Sequence, residues 1–229
     1  MTEHPGALLL VAAGPGLGRA VARRFAGAGW SVGLLARTPE RLARLAGEIQ
    51  AAGAATVVTA AADVGESDAL RAGLVDLVGR LGTPDVVVYN GSAYVEGSVL
   101  ALTPEQLTLA LAVGVTGALV TAQACVPAMR QRGSGTVILT GSVAADRAST
   151  SAAAVGVAKA GLRSLARSLH KEVAGDGVRV TTVTIDGVLA GPRALDLDAV
   201  AERYWRLHAD PEPPPAELRH PAPAAGGAG

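Results

Sequence analysis

The chain has 229 residues, 49% of them hydrophobic, and its 20 basic residues balance its 20 acidic ones. This length and apolar content suit one large domain with a buried core, while zero net charge and an aromatic content of 3% argue against nucleic acid or an anionic membrane surface as the main partner. The single cysteine, Cys125, excludes an internal disulfide and cannot alone build a metal cluster.

Short apolar segments alternate along the chain with segments of helical periodicity. Six buried strands are predicted, in chain order, at residues 8–11, 31–36, 56–60, 85–89, 136–140 and 178–185. Helices are predicted after each strand: one opening after Gly18, one led by Thr38-Pro39 as N-cap and first residue, and four at residues 67–78, 104–131, 152–173 and 196–208.

Continuous apolar strands separated by helices are typical of a parallel sheet that is covered on both faces. The fold class predicted is therefore α/β, a doubly wound parallel sheet of the Rossmann type in a single domain, residues 1–208. Residues 209–229 form a Pro-, Ala- and Gly-rich tail, expected to be partly disordered, in which residues 216–220 could add a short edge strand. In such a sheet, ligands bind at the carboxyl ends of the strands.

The first strand leads into a glycine-rich turn, Gly14-Pro15-Gly16-Leu17-Gly18, which opens the first helix. Glycines let a backbone approach a pyrophosphate closely, and the first turn of a helix offers free N–H groups and a positive dipole end. We therefore predict a dinucleotide site here. The alternative is a tight strand-to-helix turn that holds no ligand.

Nothing at the N-terminus, MTEHPGALLL, has the basic and long apolar regions of a signal peptide. We also find no uninterrupted apolar run of about 18 residues. These observations predict a cytoplasmic protein that does not span a membrane.

Over roughly residues 8–207 the chain resembles the short-chain dehydrogenase/reductase family. Gly16-Leu17-Gly18 matches the second part of the family's cofactor turn. Ala12 stands where the first glycine of that turn is usual, and Gly14 is expected to take over its flexibility. The resemblance implies a nicotinamide cofactor held by this turn.

At the end of the second strand the chain has Arg37 and no acidic residue. An NAD site would place a carboxylate there for the ribose 2′-hydroxyl, whereas an arginine can pair with a 2′-phosphate. The position thus resembles the NADP-preferring members, and NADP(H) is the predicted cofactor. The alternative is that Arg37 is an ordinary solvated loop residue.

Two further pairs resemble cofactor contacts of the family. Asp63-Val64 follows the third strand, where the family's Asp-Val meets the adenine, although a helix-leading Asp is an equal alternative. Asn90 and Gly91 follow the fourth strand, where the family's Asn-rich turn lies beside the cofactor ribose, and there structural and cofactor roles are hard to separate.

The catalytic positions of the family are only partly retained. Ser142 and Lys159 stand where the family has its serine and lysine, but Val155 replaces the tyrosine four residues before the lysine, and Gly114 replaces the usual asparagine. In the family, the tyrosine hydroxyl moves the substrate proton, the lysine lowers its pKa and binds the ribose, and the serine holds the substrate oxygen. Valine has no proton to move, so this mechanism cannot operate unchanged.

Two side chains are candidates for the missing acid/base. Tyr94 follows the fourth strand near the expected pocket, and its alternative role is to line that pocket. Asp186 stands before Gly187, where the family usually has Pro-Gly beside the nicotinamide, and its alternative role is to form the turn. The hydroxyls of residues 149–151 are more typical of helix N-caps, and no histidine is placed as a convincing base.

The sequence leaves three functions open. The first is NADP(H)-dependent reduction of a carbonyl, or oxidation of an alcohol, in a small organic substrate by a non-standard proton donor. The second is an inactive nucleotide-binding or interaction protein, and the third is a non-redox isomerase or lyase, for which Asp186 is the only hint. The resemblance also implies a homodimer or homotetramer formed through the helices at residues 104–131 and 152–173.

Overall fold

A computed structural model describes residues 5–189, 191–192 and 194–220. Seven parallel strands form one sheet in the order β3-β2-β1-β4-β5-β6-β7. Their bounds are β1 Ala7–Val11, β2 Ser31–Ala36, β3 Val57–Ala61, β4 Val86–Tyr89, β5 Gly135–Ser142, β6 Val178–Ile185 and β7 Glu217–His220. The doubly wound α/β prediction is confirmed, and the suggested edge strand is β7. The disorder predicted for the end of the tail, residues 221–229, lies outside the described residues.

Within the described residues, seven α-helices connect and follow the strands: α1 Leu17–Ala26, α2 Pro39–Ala51, α3 Ser67–Leu81, α4 Pro104–Leu111, α5 Gly117–Arg132, α6 Ala153–Glu172 and α7 Leu197–Ala209. The single helix predicted over residues 104–131 is wrong in one respect. A π-helical turn, Ala112–Thr116, separates α4 from α5. Hydrophobic periodicity does not distinguish such a turn from a continuous helix, because it shifts the register by only one residue.

Helix starts follow from local sequence to different degrees. Thr103 caps α4, since its Oγ1 accepts a hydrogen bond from the Gln106 N–H and its own N–H donates to Gln106 Oε1. Thr38 was the predicted N-cap of α2, but its side chain makes no capping hydrogen bond. Pro39, whose φ is fixed near the helical value, occupies the first turn there and starts the helix without that bond.

The core has two layers, one on each face of the sheet. Along β1, Leu8 and Leu10 pack toward α1, α2 and α7, while Leu9 and Val11 pack toward α3, α5 and α6, and all four are fully buried. Each fully buried side chain of this size contributes about 1.5–3 kcal/mol relative to an exposed one. Burial on both faces is the reason that the strands read as unbroken apolar runs.

The chain order of the strands reverses at the sheet centre, where β1 lies between β2 and β4. Val11 at the end of β1 is in register with Leu35 of β2 and with Tyr89 of β4. The connections after these strands leave toward opposite faces of the sheet, which opens a crevice at their carboxyl ends. The fold therefore places a ligand site after β1, β2 and β4.

One described helical stretch, Pro104–Arg132, is long and apolar enough by composition to cross a membrane, although it contains no uninterrupted apolar run of about 18 residues. Of its most apolar window, 56% is buried inside the protein. Its side chains Val120, Cys125 and Met129 belong to the core layer that covers β1 and β4. The stretch is thus accounted for as a core helix.

Candidate functional site

A cavity of about 710 Å³ lies at the carboxyl ends of the central strands. Six of the residues predicted to bind a cofactor line it: Gly14, Arg37, Asp63, Val64, Asn90 and Gly91. Of the other four, Gly16, Leu17 and Gly18 do not belong to its wall, and neither does Lys159, which was predicted to bind the nicotinamide ribose. Leu17 is buried in the core, and Gly16 is the N-cap of α1. The volume is within the range typical of cofactor sites, about 300–1,000 Å³.

The start of α1 is built to receive an anion. Gly16 makes no side-chain capping bond and the first turn carries no acidic residue. The first main-chain N–H bonds in this turn are Arg19 N–H to Gly14 O at 2.9 Å and Ala20 N–H to Gly16 O at 3.2 Å. The N–H groups before them, together with the helix dipole, favour a negatively charged group such as a pyrophosphate.

Ala12 has the left-handed conformation that the first family glycine supplies, with φ of +60°. Among the described residues it is the only non-glycine with positive φ. Gly14 was expected to provide this flexibility, and that expectation is wrong, because Gly14 is not among the positive-φ glycines. The turn therefore keeps the family's backbone shape at the cost of strain in an alanine.

Replacing Ala12 by glycine should stabilise the protein by about 0.5–1 kcal/mol. The left-handed conformation costs alanine about 1–2 kcal/mol, and the greater chain entropy of glycine in the unfolded state offsets part of the relief of that strain. For a chain of this size, thermal unfolding should shift upward by about 2 °C. Ala13→Gly is the matched control, because Ala13 has no positive φ, and it should not stabilise. An unchanged or lower melting temperature for Ala12→Gly would contradict the strain.

Positive charge is concentrated at the end of the cavity beyond β2. Four arginines from α1, the β2 end and α2 line this region: Arg19, Arg37, Arg41 and Arg44. Sequence reasoning found only Arg37. Arg41 follows Arg37 by four residues, and Arg44 follows Arg41 by three, so the spacing of basic residues at the start of α2 could have indicated the cluster.

Two carboxylates in the same wall compensate part of this charge. Arg19 Nη1 lies 3.6 Å from Glu48 Oε2, and Arg37 Nη1 lies 3.7 Å from Asp63 Oδ2. No carboxylate of the described chain forms an ion pair with Arg41 or Arg44. Four guanidinium groups against two carboxylates leave a local excess of two positive charges, which matches a phosphomonoester dianion.

The predicted adenine and ribose contacts follow β3 and β4 and line the cavity. Asp63 Oδ1 accepts a hydrogen bond from the Gly65 N–H at 2.9 Å, which shapes the turn after β3. The Asn90 N–H donates to Val11 O at 3.0 Å, so this residue extends the β1–β4 pairing beyond the strand. Both side chains therefore have structural partners in addition to a place in the cavity wall.

Lys159 lies behind the cavity, between the ends of β4 and β5. Only 5% of the residue is exposed. Its Nζ donates to Thr140 O at 2.8 Å and to Gly91 O at 3.1 Å. Desolvation by burial lowers the pKa of Lys159 from 10.5 to about 8. The lysine thus connects the cavity wall at Gly91 to the strand that carries Ser142.

Ser142 ends β5 and begins a short 3₁₀ helix, Val143–Ala145. Its Oγ accepts a hydrogen bond from the Ala144 N–H at 3.2 Å. Since a hydroxyl can also donate, its proton remains available to a substrate oxygen. Ser142 and Lys159 are thus brought to the same edge of the sheet, although neither lines the cavity.

The π-helical turn occupies the place of the family's asparagine. A Cβ added to Gly114 would lie 2.8 Å from the Ala158 Cβ, so α6 packs directly against this turn. On the other side, buried Tyr89 donates from its hydroxyl to Val113 O at 2.5 Å. The absent asparagine side chain therefore leaves no open space, because neighbouring helices have closed on the glycine.

Tyr94 and Asp186 occupy different environments. Tyr94 lines the cavity but is 73% exposed. Asp186 follows β6 and lies outside the cavity wall. Its carboxylate forms ion pairs with Arg147 Nη1 at 2.9 Å and Arg219 Nη1 at 3.3 Å. Asp186 is therefore placed to connect the β5–α6 loop to β7.

That connection extends into a larger charged network. Arg219 also meets Asp146 at 2.6 Å, and Arg163 of α6 meets both Asp146 and Glu217 of β7. The sequence could not reveal it, because its members are up to 73 residues apart. The network fixes the edge strand β7 beside the end of β6.

Comparison with known proteins agrees with this architecture. The short chain dehydrogenase family matches residues 7–194. The chain is 32% identical to a 3-dehydrosphinganine reductase, TSC10B, of Arabidopsis thaliana over 72% of this chain and 50% of the relative, so it spans about half of that protein. It is 34% identical to the (2S)-[(R)-hydroxy(phenyl)methyl]succinyl-CoA dehydrogenase subunit BbsC of Thauera aromatica, over 79% of this chain and 71% of the relative.

Among solved structures, a metagenomic short-chain oxidoreductase in complex with NADP has a TM-score of 0.86 and 26% identity, with 96% of this chain and 98% of that one covered. A short-chain dehydrogenase from Rhodopseudomonas palustris has a TM-score of 0.84 and 27% identity, with 95% and 98% covered. With the parallel sheet, the glycine-rich turn and these matches together, the chain belongs to the short-chain dehydrogenase/reductase family of oxidoreductases.

Proposed function

We propose that this protein is an NADP(H)-dependent oxidoreductase that acts on a carbonyl or alcohol of a small organic substrate, with a proton donor other than tyrosine. The observation that carries the proposal is the cavity of about 710 Å³ whose wall holds four arginines and two carboxylates. Two excess positive charges fit the 2′-phosphate of NADP(H), which NAD(H) lacks.

The chain's own residues divide the cofactor between them. The turn at Gly14 and the start of α1 would hold the pyrophosphate, and Arg37 and Arg41 the 2′-phosphate. Asp63 with Val64 would border the adenine, and Asn90 with Gly91 the nicotinamide ribose. All four residues line the cavity. When bound, the cofactor supplies or accepts a hydride.

On the substrate side, Ser142 is the candidate to hold the reacting oxygen. Its Oγ already accepts the Ala144 N–H, so its hydroxyl proton is the part available to the substrate. Such a hydrogen bond strengthens as negative charge develops on the oxygen, which is how it would assist hydride transfer.

A second candidate function, nucleotide binding without turnover, is favoured by one specific observation. α6 packs so closely on the π-helical turn that a Cβ at Gly114 would lie 2.8 Å from that of Ala158. The family's asparagine is thus replaced by glycine, and α6 fills the space that the asparagine side chain would need. A protein that only binds the cofactor would tolerate this change.

We also propose a cytoplasmic homodimer or homotetramer that forms through α4, α5 and α6. Each of these helices exposes a large apolar side chain: Leu109 is 51% exposed, Leu119 39% and Val157 49%. A second copy of the chain would bury them. Sedimentation equilibrium measures the molar mass, and a monomer at micromolar concentration would contradict the proposal.

The proposed activity is tested by following the absorbance of NADPH in the presence of a panel of aldehydes, ketones and 2-oxo esters. The proposal predicts enzyme-dependent NADPH oxidation with at least one member, and slower oxidation of NADH. Ser142→Ala should then reduce the rate, with Ser168→Ala on the exposed face of α6 as the control. NADPH binding without oxidation of any panel member would favour the nucleotide-binding alternative.

A further inference from the structure

We propose that the ammonium group of Lys159 delivers the proton to the substrate oxygen, in the role that tyrosine has in the family. This inference rests on the proposed oxidoreductase function and names the donor that the function leaves open. Three observations support it: the position of Lys159 on α6, the hydrogen bonds of Lys159 and the surroundings of the other candidate donors.

Lys159 and Val155 lie on the same face of α6, one helical turn apart. Helical side chains point back toward the N-terminus, so the lysine side chain runs over the turn that contains Val155. Valine is much shorter than tyrosine. The ammonium group is therefore the nearest proton-carrying group on this face to the position that a tyrosine hydroxyl would reach beyond residue 155.

The two hydrogen bonds of Nζ fix its position at the edge of the site. One partner, Gly91 O, belongs to a residue of the cavity wall, and the other, Thr140 O, lies two residues before Ser142 on β5. An ammonium group has three N–H donors, so these two bonds leave one. Under this proposal, that remaining N–H donates to an oxygen held at Ser142.

The charge of Lys159 has no partner in the described part of the chain. Both groups that meet Nζ, from the ends of β4 and β5, are neutral carbonyls, and no carboxylate forms an ion pair with it. The π-helical turn and β6 also pack on α6. Neither brings a charged side chain that shifts the pKa of Lys159, because burial alone lowers that pKa. A buried cation without a counter-ion gives up a proton readily, and a pKa of about 8 suits a general acid near neutral pH.

The other candidate donors are less well placed. Asp186 forms ion pairs with Arg147 and Arg219 and lies outside the cavity wall. Tyr94 lies in the wall but is 73% exposed. His208 bonds to Thr136 near the start of β5, at the opposite edge of the sheet.

In the reduction direction the step balances as follows. Bound NADPH would supply a hydride that forms the C–H bond at the carbonyl carbon, and the C=O π electrons would move to the oxygen. Lys159 gives one proton to that oxygen, which forms the O–H bond and leaves a neutral amine. The amine then regains a proton from solvent, and the oxidised cofactor leaves as NADP⁺.

The test is the pH dependence of kcat/KM for NADPH-dependent reduction between pH 6 and 10, with the carbonyl substrate found in the panel. The acid must be protonated to act, so the wild-type rate should be constant below about pH 8 and fall tenfold per pH unit above it. Lys159→Arg keeps the positive charge but does not release a proton in this range. It should lose about 100-fold in kcat at saturating NADPH and show no break near pH 8.

Lys159→Met, which removes charge and proton together, should lose at least as much as Lys159→Arg. Lys171→Met, at the exposed end of the same helix, is the matched control and should behave as wild type. Calorimetry with NADPH on each variant shows whether the fold and the cofactor site are intact, and if the methionine variant does not fold, the arginine variant and the wild-type profile decide.

The proposal is overturned if Lys159→Arg keeps wild-type activity and pH dependence, or if the wild-type profile has no break between pH 7 and 9. Tight NADPH binding without turnover of any panel member also overturns it, but leaves the cofactor site standing. Absence of NADPH binding overturns the proposed function itself, so the two failures are distinguishable.

Discussion

Replacing Val155 by tyrosine should raise the rate of NADPH-dependent carbonyl reduction by about 10–100-fold, part of the 10²–10⁴-fold that a positioned acid contributes. The reason is that Ser142 and Lys159 stand at family positions, and Lys159 lies one helical turn beyond residue 155. A tyrosine hydroxyl there would take over proton transfer, with the ammonium group lowering its pKa from about 10. Lys159 already supplies part of the effect, which limits the gain.

The measurement is kcat/KM with the carbonyl substrate at constant pH, beside the wild type and Val155→Phe. Phenylalanine matches the ring of tyrosine but has no proton to give, so its rate should not rise. An equal gain for both variants would show that packing around α6, and not proton transfer, limits the rate. No gain for Val155→Tyr with intact NADPH binding would contradict the assignment of residue 155 to the tyrosine position.

Removing Arg37 or Arg41 should weaken NADPH binding by about 10–100-fold each, the loss of one charge-assisted hydrogen bond of about 1.5–3 kcal/mol. Both guanidinium groups line the cavity beyond β2, and Arg41 has no ion-pair partner among the described residues. NADH, which has no 2′-phosphate, should bind Arg37→Ala and Arg41→Ala about as it binds the wild type. Calorimetry with both cofactors gives the two affinities directly.

Arg71→Ala is the control for net charge, because Arg71 is an exposed residue of α3 that lies away from the cavity. It should leave both affinities unchanged. If Arg37→Ala and Arg41→Ala weakened NADH and NADPH equally, the arginines would support the fold or the adenosine and would not select the phosphate.

The fold was largely predictable, because burial on both faces of the sheet leaves a strong pattern in the sequence. β2 and β6 begin and end at the predicted residues, and the suggested edge strand is β7. Each strand needs only local hydrophobicity to be recognised. The order of the strands within the sheet is not contained in any local pattern, and it comes from the structure.

Features that depend on contacts distant in sequence were not predictable. The π-helical turn, Ala112–Thr116, contacts α6 at Gly114 and accepts the Tyr89 hydrogen bond at Val113 O, and both partners are distant in sequence. Ala12 has a left-handed conformation that alanine disfavours, because the geometry of the turn overrides the local preference of the residue. Most residues predicted for the cofactor line one cavity, whereas Asp186 has two arginine partners that no spacing reveals.

Titration calorimetry of the wild-type protein with NADPH and with NADH tests the cofactor selectivity on which the proposed function depends. We expect one NADPH site per chain and NADH binding at least tenfold weaker, because only NADPH has a 2′-phosphate for the arginines beyond β2. Equal affinities would contradict the selectivity assigned to those arginines. No binding of either cofactor would contradict the oxidoreductase function and leave a dehydrogenase fold used for another purpose.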